Sequence, residues 1–534
     1  MEHVRNFTIA PRRSSAWVPP SRALLAVIVM SSCRPADKPP ERPTAHFTTK
    51  DSSVAIAIIA DSHFTNLTGY RKLDSMSCTA DKHVPSAIRP PLLDLWAPNV
   101  LRFVLQDLGA GSNAHPDILV HLGDAATISC TGEFDRFATI LNARLAHHWF
   151  MAPGNHDSFM MGNFALGPSD LCATRPNDRA CRRTWAAACS DGTEGRREMF
   201  KAEFLKRYLV ALGFPAGEIR ESADFSKEGL TAFGPLERVF LGNREIPGER
   251  INNAPHGHHF LLQQIALSPK VAGIIIDSSD FVGNPFHARG VATAGSRGAI
   301  SREQIEVLAR WVHEIKNRDI VFFGHLPFSN INGQFSALAG LLAQPNVIGY
   351  VSAHTHTAAR YCDGKHGQDG PDFRELNVGS ILDWPMEYGL LELTPGARGA
   401  GMRYQRHTVG ERLNSTVCSK WSPWDREAYV GYCPAKDSES TYRQMMNRGL
   451  DEWFKVSSQK APSIATTSDR ERNLALIRAA EANGSLDQDF AVCQARWASE
   501  AEALMSNGKP SHFDRPTCPR GNLETLVPLA TEQK

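Results

Sequence analysis

Residues 54–63 read VAIAIIADSH. Val54–Ala60 is an unbroken apolar run of the length of a strand buried on both faces. It stops at Asp61, and an imidazole, His63, follows two positions later. That sequence of events, an apolar strand and then metal-binding chemistry at its carboxyl end, recurs along the chain. Ile118–Leu122 ends at Gly123-Asp124. Trp149–Ala152 ends at Pro153-Gly154-Asn155-His156-Asp157, Ile320–Phe323 at Gly324-His325, and Val347–Ser352 at Ala353-His354-Thr355-His356.

Between these strands the continuous apolar runs give way to helical spacing. Phe134, Phe137, Ile140, Leu141 and Leu145 lie on one helical face and predict a helix over Glu133–His148. Ser301 opens another helix, with Gln304 placed for a capping box and a buried stripe of Ile305, Leu308, Ala309, Val312 and Ile315. Gly273–Ile276, leading into Asp277, is a further strand, as are Glu375–Gly379 and Gly389–Thr394. Alternating strand and helix give an α/β fold. Residues 158 to about 250 interrupt the alternation; three cysteines and many charges there read as a helical insertion.

In an open α/β sheet, ligands bind at the rim outside the carboxyl ends of the strands. The strand ends therefore deliver Asp61, His63, Asp124, Asn155, His156, His325, His354 and His356 to one rim. Carboxylates and imidazoles together suit Zn, Mn or Fe, whereas Mg and Ca favour oxygen alone. Singly these signals are weak, since a lone buried His is more often a hydrogen-bonded core residue than a ligand. Their order along the chain decides the matter.

That order, D-x-H, G-D, G-N-H-D, H and H-x-H, resembles the calcineurin-like metallophosphoesterase family over roughly residues 51–400. The resemblance implies a four-layer sandwich of two mixed β-sheets flanked by helices. It implies two divalent transition-metal ions: Asp61, His63 and His356 would hold the first, Asn155, His325 and His354 the second, and Asp124 would bridge them. His156 would stand beside the substrate as a catalytic proton donor without binding metal. Thr127 departs from the family, which often has Asn or Asp there. Residues 274–278 (IIIDS), 298–304 (GAISREQ), Trp311 and 324–327 (GHLP) are similar to the branch holding class III cyclic nucleotide phosphodiesterases and many monoesterases.

The reaction implied is hydrolysis of a small-molecule phosphate ester, monoester or diester, by a hydroxide bridging two cations about 3.5–4 Å apart. Two other readings stand beside it. One is a non-catalytic metal-binding or scaffolding protein of the same fold. The other is a two-metal hydrolase of amides or lactams, although the denser H-x-H-x-D-H run of such enzymes is absent. Arg289 and Arg297, in a Gly-rich loop, are weaker candidates for gripping substrate phosphate. His256-Gly257-His258-His259 is His-dense but has no partner cluster in sequence and reads as an ordinary loop.

Composition sets the remaining bounds. Of 534 residues, 42% are hydrophobic, enough for a sizeable core; Lys+Arg (58) and Asp+Glu (57) balance to +1, with no basic patch to attract nucleic acid. Arg5, Arg12, Arg13 and Arg22 precede a short apolar run, Ala23–Met30, too short to span a bilayer and suited to a signal peptide over residues 1–33. Residues 30–33 (MSSC) resemble a bacterial lipobox, which makes Cys33 the candidate lipid anchor. The expected location is the periplasm or outer cell envelope, with the chain either free or anchored. Ten cysteines remain after Cys33, room for up to five disulfides in an oxidising compartment. Residues 34–50 read as a Pro-rich tether, 51–409 as the catalytic domain, and 410–534 as a Cys-containing helical extension. Asn66, Asn414 and Asn483 begin Asn-x-Ser/Thr triplets, which matter only where exported proteins are glycosylated.

Overall fold

The computed structural model describes residues 54–65, 96–110, 116, 118–144, 148–157, 189, 199–220, 223–225, 234–251, 254–280, 298–333, 335–361, 373–383, 386–395 and 401–410. All lie in the compact unit Pro43–Lys534. The expected signal peptide, tether and C-terminal extension beyond residue 410 fall outside the described residues, as do Arg289, Arg297 and the three Asn-x-Ser/Thr sites.

The described strands, in chain order, are β1 (Val54–Ile59), β2 (Ile118–His121), β3 (His148–Met151), β4 (Ala223–Phe225), β5 (Leu236–Ile251), β6 (Ala254–Ser268), β7 (Val271–Ile275), β8 (Gly298–Ile300), β9 (Asp319–Phe323), β10 (Ile331–Gly333), β11 (Val347–Ser352), β12 (Ala359–Tyr361), β13 (Glu375–Asn377), β14 (Glu387–Thr394) and β15 (Gly401–Thr408). A 5-stranded sheet has the order β15-β14-β1-β2-β3, and an 8-stranded sheet the order β12-β13-β11-β9-β7-β6-β5-β4. Both are mixed. β1, β2 and β3 run parallel, with Ile59 beside His121 and His121 beside Met151, while β14 is antiparallel to β1. In the larger sheet β7, β9, β11 and β13 are parallel, and β6 and β12 are antiparallel to their neighbours. Parallel registry brings the carboxyl ends of β1, β2 and β3 level, and likewise those of β7, β9 and β11.

The larger sheet separates two cores, because successive strand residues point to opposite faces. Ile275, Val321, Phe323 and Val351 join the core shared with the smaller sheet, alongside Ile56, Ile58, Val120 and Leu391. Their strand neighbours Ile274, Ile276, Ile320, Phe322 and Tyr350 face the opposite core, against Leu308 and Trp311 of the helix Arg302–Glu314 and Leu338 of the helix Phe335–Leu342. Burying each such side chain stabilises by about 1.5–3 kcal/mol.

Several elements differ from expectation. The helix predicted over Glu133–His148 runs Thr131–Arg144; His148 begins β3, where backbone pairing with Ile118 outweighs helix extension. In the helix Arg302–Glu314, Ala309 is exposed, and Val307 and Trp311 complete the buried stripe. Ser301 caps that helix by accepting the Gln304 backbone N–H, but the Gln304 side chain does not close the box. Instead it grips Asp277, accepting its N–H and donating to its carbonyl.

The largest correction concerns 158–250. Its described part includes the helix Lys201–Leu212, ended by Gly213 at φ 107, but also β4 and β5. Val239 and Leu241 are buried two apart, as in a strand, Leu236 is buried across a register shift, and pairing with β6 extends the large sheet. The charges of Glu237, Arg238 and Arg244 hid this alternation. His256-Gly257-His258-His259 lies within β6 and pairs with β5. Among the described residues no helix is long and apolar enough to cross a membrane.

Candidate metal centre

The turns that leave β1, β2 and β11 share an unusual backbone. Asp61 (φ 51), His63 (φ 42), Asp124 (φ 57), His354 (φ 70) and His356 (φ 57) all occupy the left-handed region. Each such non-glycine residue costs about 1–3 kcal/mol and persists only where its surroundings over-determine it. Here backbone bonds do so. Asp61 N–H donates to Gly123 O and His63 N–H to Asp124 O, each at 3.0 Å, and Ala353 N–H to His325 O at 2.8 Å. Gly123 and Gly154 are needed because the chains approach so closely. A Cβ on Gly154 would lie 2.2 Å from the Asp124 amide nitrogen and Oδ1, and one on Gly123 2.7 Å from the His325 ring.

Buried carboxylates fix the same turns. Asp157 Oδ2 accepts the N–H groups of Asp124 (2.9 Å) and Gly154 (2.8 Å), and Oδ1 those of Ala125 (2.7 Å) and Ala126 (3.1 Å). Burial pushes the Asp157 carboxyl up to about 7, and the Asp124 charge adds to this against the pull of the Ala126 and Gly154 N–H groups. Ser380 Oγ donates to Asp61 O and accepts Asp383 N–H, which ties the turn bearing Asp383 to the end of β1.

Two groups of potential ligands form on this scaffold. Asp61, His63 and His356 converge, as do Asp124, His325 and His354; within each group one donor atom per residue lies within 4.8 Å of the others. In the first group, the Asp383 carboxylate holds His356 Nδ1 in a short contact. In the neutral ring that bond places the proton on Nδ1 and turns the Nε2 lone pair toward His63 Nε2, at 3.2 Å, and Asp61 Oδ1, at 3.5 Å. Both Asp61 oxygens are buried with no hydrogen-bond partner among the described residues. Burial disfavours the His356 cation, but the Asp61 and Asp383 charges outweigh it and raise its pKa to about 10.

The second group has the sharper geometry. His325 Nδ1 donates to Leu122 O at 2.7 Å, so in the neutral ring Nε2 bears the lone pair. Nε2 faces Asn155 Oδ1 (2.8 Å), Asp124 Oδ2 (3.3 Å) and His354 Nδ1 (3.2 Å). Acceptors converging on one ring nitrogen call for positive charge at the meeting point, from a proton on Nε2 or from a metal ion in its place. Burial works against a charged His325, yet Asp124 prevails and raises its pKa to about 9. Burial and the His325 charge lower His354 to about 3. Asp124 is fully enclosed, which raises its carboxyl, but the charges of His325, His156 and His63 reverse this and hold it well below the usual carboxylate range. Both groups thus demand positive charge, and their nitrogen–oxygen donor sets fit borderline divalent metals.

His156 stands between the groups without joining either. Its backbone N–H donates to Asp124 Oδ1 at 2.8 Å, and its ring meets that of His63 edge-on, 5.0 Å between centroids. Nδ1 donates to the Thr127 carbonyl at 2.8 Å, which fixes the orientation of the ring. Thr127, the family departure, thereby contributes through its backbone.

Sequence reasoning missed Asp157, Asp383 and His121 as supports. His121 accepts Gly123 N–H at Nδ1 and therefore donates from Nε2 to Ser62 Oγ, linking the first two strand ends. Asp157 stands inside the G-N-H-D motif, but the motif alone assigned it no role. Asp383 lies in no motif.

The model of the family described as calcineurin-like phosphoesterase matches residues 54–358, more than half of the chain. The chain belongs to the calcineurin-like phosphoesterase family. No curated protein matches it. Among solved structures, the purple acid phosphatase PPD1 from yellow lupin (Lupinus luteus) seeds is 12% identical, covering 67% of this chain and 52% of its own at a TM-score of 0.32. GAP50, the anchor in the inner membrane complex of Plasmodium, is 11% identical over 67% of this chain and 88% of its own, at a TM-score of 0.26. This calcineurin-like chain thus spans about half the length of the lupin phosphatase.

Proposed function

We propose that the chain is a dinuclear metal-dependent phosphoesterase. The observation that carries the reading is His325 Nε2, a lone pair fixed by Leu122 O and surrounded by Asn155, Asp124 and His354. Family membership supplies the class of reaction. Asp61, His63 and His356 would hold one ion, Asn155, His325 and His354 the other, with Asp124 shared. Two such ions, when bound, neutralise phosphate charge and make a bound water acidic.

The remaining work belongs to the chain. Asp124 carries one negative charge between the two groups, its Oδ1 directed by the His156 amide and its Oδ2 facing His325. Asp383 keeps the His356 tautomer, and Leu122 O keeps that of His325. His156, oriented by the Thr127 carbonyl, offers Nε2 as the atom from which a proton passes to the leaving oxygen.

The chain purified under mild conditions is expected to carry two transition-metal ions. Elemental analysis checks this, and a panel of phosphomonoesters and phosphodiesters identifies the substrate. A metal-free protein that gains no activity with Mn, Fe or Zn would sink the reading.

We also propose export to an oxidising compartment. The leader and lipobox-like residues 30–33 support it, and so does the disulfide Cys130–Cys189 between two buried sulfurs. Mass spectrometry with and without reductant is expected to show a mature chain starting near Cys33 and a mass gain of two protons for each disulfide reduced. A full-length chain with every thiol free would refute this.

A further inference from the structure

Lys201 opens the helix Lys201–Leu212, yet its ammonium is buried, 2% exposed against a fully enclosed Asp277. Long cations are almost never so enclosed unless paired. Its Nζ donates to Asp277 Oδ1 (2.9 Å), Ser279 Oγ (2.8 Å) and Ser279 O (3.4 Å), one acceptor for each N–H. The pair is built in from other sides as well. Asp277 Oδ2 accepts Leu261 N–H, and Gln304 clamps the Asp277 backbone. Among the described residues, no hydrogen bond joins Lys201, Asp277 or Ser279 to a side chain of either ligand group.

The link to the site runs through two hydroxyls. Ser279 Oγ lies 3.3 Å from both Pro153 O and Gly154 O, the carbonyls just before Asn155. It also lies 3.0 Å from Asp277 Oδ1. One hydroxyl proton serves only one of these directions at a time. With the ammonium occupying Asp277 Oδ1, the proton turns to the Pro153–Gly154 carbonyls. Without it, a buried carboxylate recaptures the proton and releases that turn. Ser278 Oγ meanwhile accepts the N–H groups of His325 (3.1 Å) and Leu326 (2.9 Å).

We propose that Lys201, Asp277 and Ser279 are positioning residues for one metal of the pair: with Ser278 they set the Gly154 carbonyl and the His325 backbone so that Asn155 and His325 meet at one point. The inference rests on the two-metal reading and deepens it. It assigns the network to the Asn155–His325–His354 group, since its hydrogen bonds run to the Pro153 and Gly154 carbonyls and to the His325 N–H.

The test is calorimetric titration of the metal-stripped full chain with Mn²⁺, with the two binding steps assigned by His354→Ala and His356→Ala. Ser279→Ala deletes one hydroxyl and keeps the ion pair. Lys201→Met with Asp277→Asn removes both charges together, so that no lone charge is left buried. Both variants are expected to weaken the step that His354→Ala abolishes by about 10–100-fold. The step that His356→Ala abolishes should stay within about twofold. Equal weakening of both steps, or no change in either, would overturn the proposal. Wild-type protein that takes up no Mn²⁺ would instead remove the two-metal reading, and the positioning role with it.

Discussion

Replacing Asp124 by alanine is expected to empty the site of metal and take activity below detection, whereas His156→Ala keeps the metals and loses rate. In the proposed reading Asp124 would be shared by the two ions, and its carboxylate lies 3.3 Å from His325 Nε2. Without an anion between them, two like charges a few ångströms apart repel strongly in a buried site. The deletion also strips the acceptor from the His156 amide. His156 donates no ring nitrogen to either group, so its loss should fall on kcat, by about 10²–10⁴-fold for a general acid. A substrate with a good leaving group needs little protonation and should recover much of that loss. Elemental analysis separates the two variants. Kinetics on p-nitrophenyl and alkyl phosphates then tests the proton transfer. A His156→Ala protein that loses its metals, or that is equally impaired on both esters, would remove the proton-donor role and leave the phosphoesterase reading standing.

What was legible in the sequence was what repeats locally. Parallel strands buried on both faces read as continuous apolar runs, so β1, β2, β3, β9 and β11 could be found by eye, and their carboxyl ends came with them. The helix stripes were legible for the same reason, to within a turn. β5 and β6 were not, because their alternation is written among charges and the register is set by a partner strand. The supports of the site were hidden for a different reason. Asp383 reaches His356 across 27 residues, and Lys201 reaches Asp277 across 76. No periodicity reports contacts that only the folded chain creates. Gln304 shows the intermediate case: its position in a capping box was visible, but the side chain serves Asp277 because a buried N–H and C=O there have no closer partner. Left-handed backbone at Asp61, His63 and Asp124 was equally invisible, since Asp and His tolerate it only when neighbours impose it.

Asp157→Asn changes one atom and is expected to damage the protein substantially, though less than Asp157→Ala. The wild-type carboxylate accepts backbone N–H groups with both oxygens, Asp124 and Gly154 on Oδ2, Ala125 and Ala126 on Oδ1. An amide keeps one oxygen and replaces the other by NH₂. Whichever way it turns, two buried N–H donors meet another donor. Each buried group so stranded costs about 1–3 kcal/mol, and alanine strands all of them. Relaxation recovers part of this, since the turn carries glycine at Gly154. The remaining cost, several kcal/mol, is a large share of the ~5–15 kcal/mol that holds a domain folded. It also falls where the site is made, because the freed N–H groups belong to Asp124 and to the turn preceding Asn155. Thermal melting of the metal-stripped chain is therefore expected to drop in both variants, by about 2–4 °C per kcal/mol lost. Metal uptake at 25 °C should weaken in parallel. An Asp157→Asn protein with wild-type melting and metal content would show that the carboxylate is not what holds the two turns together.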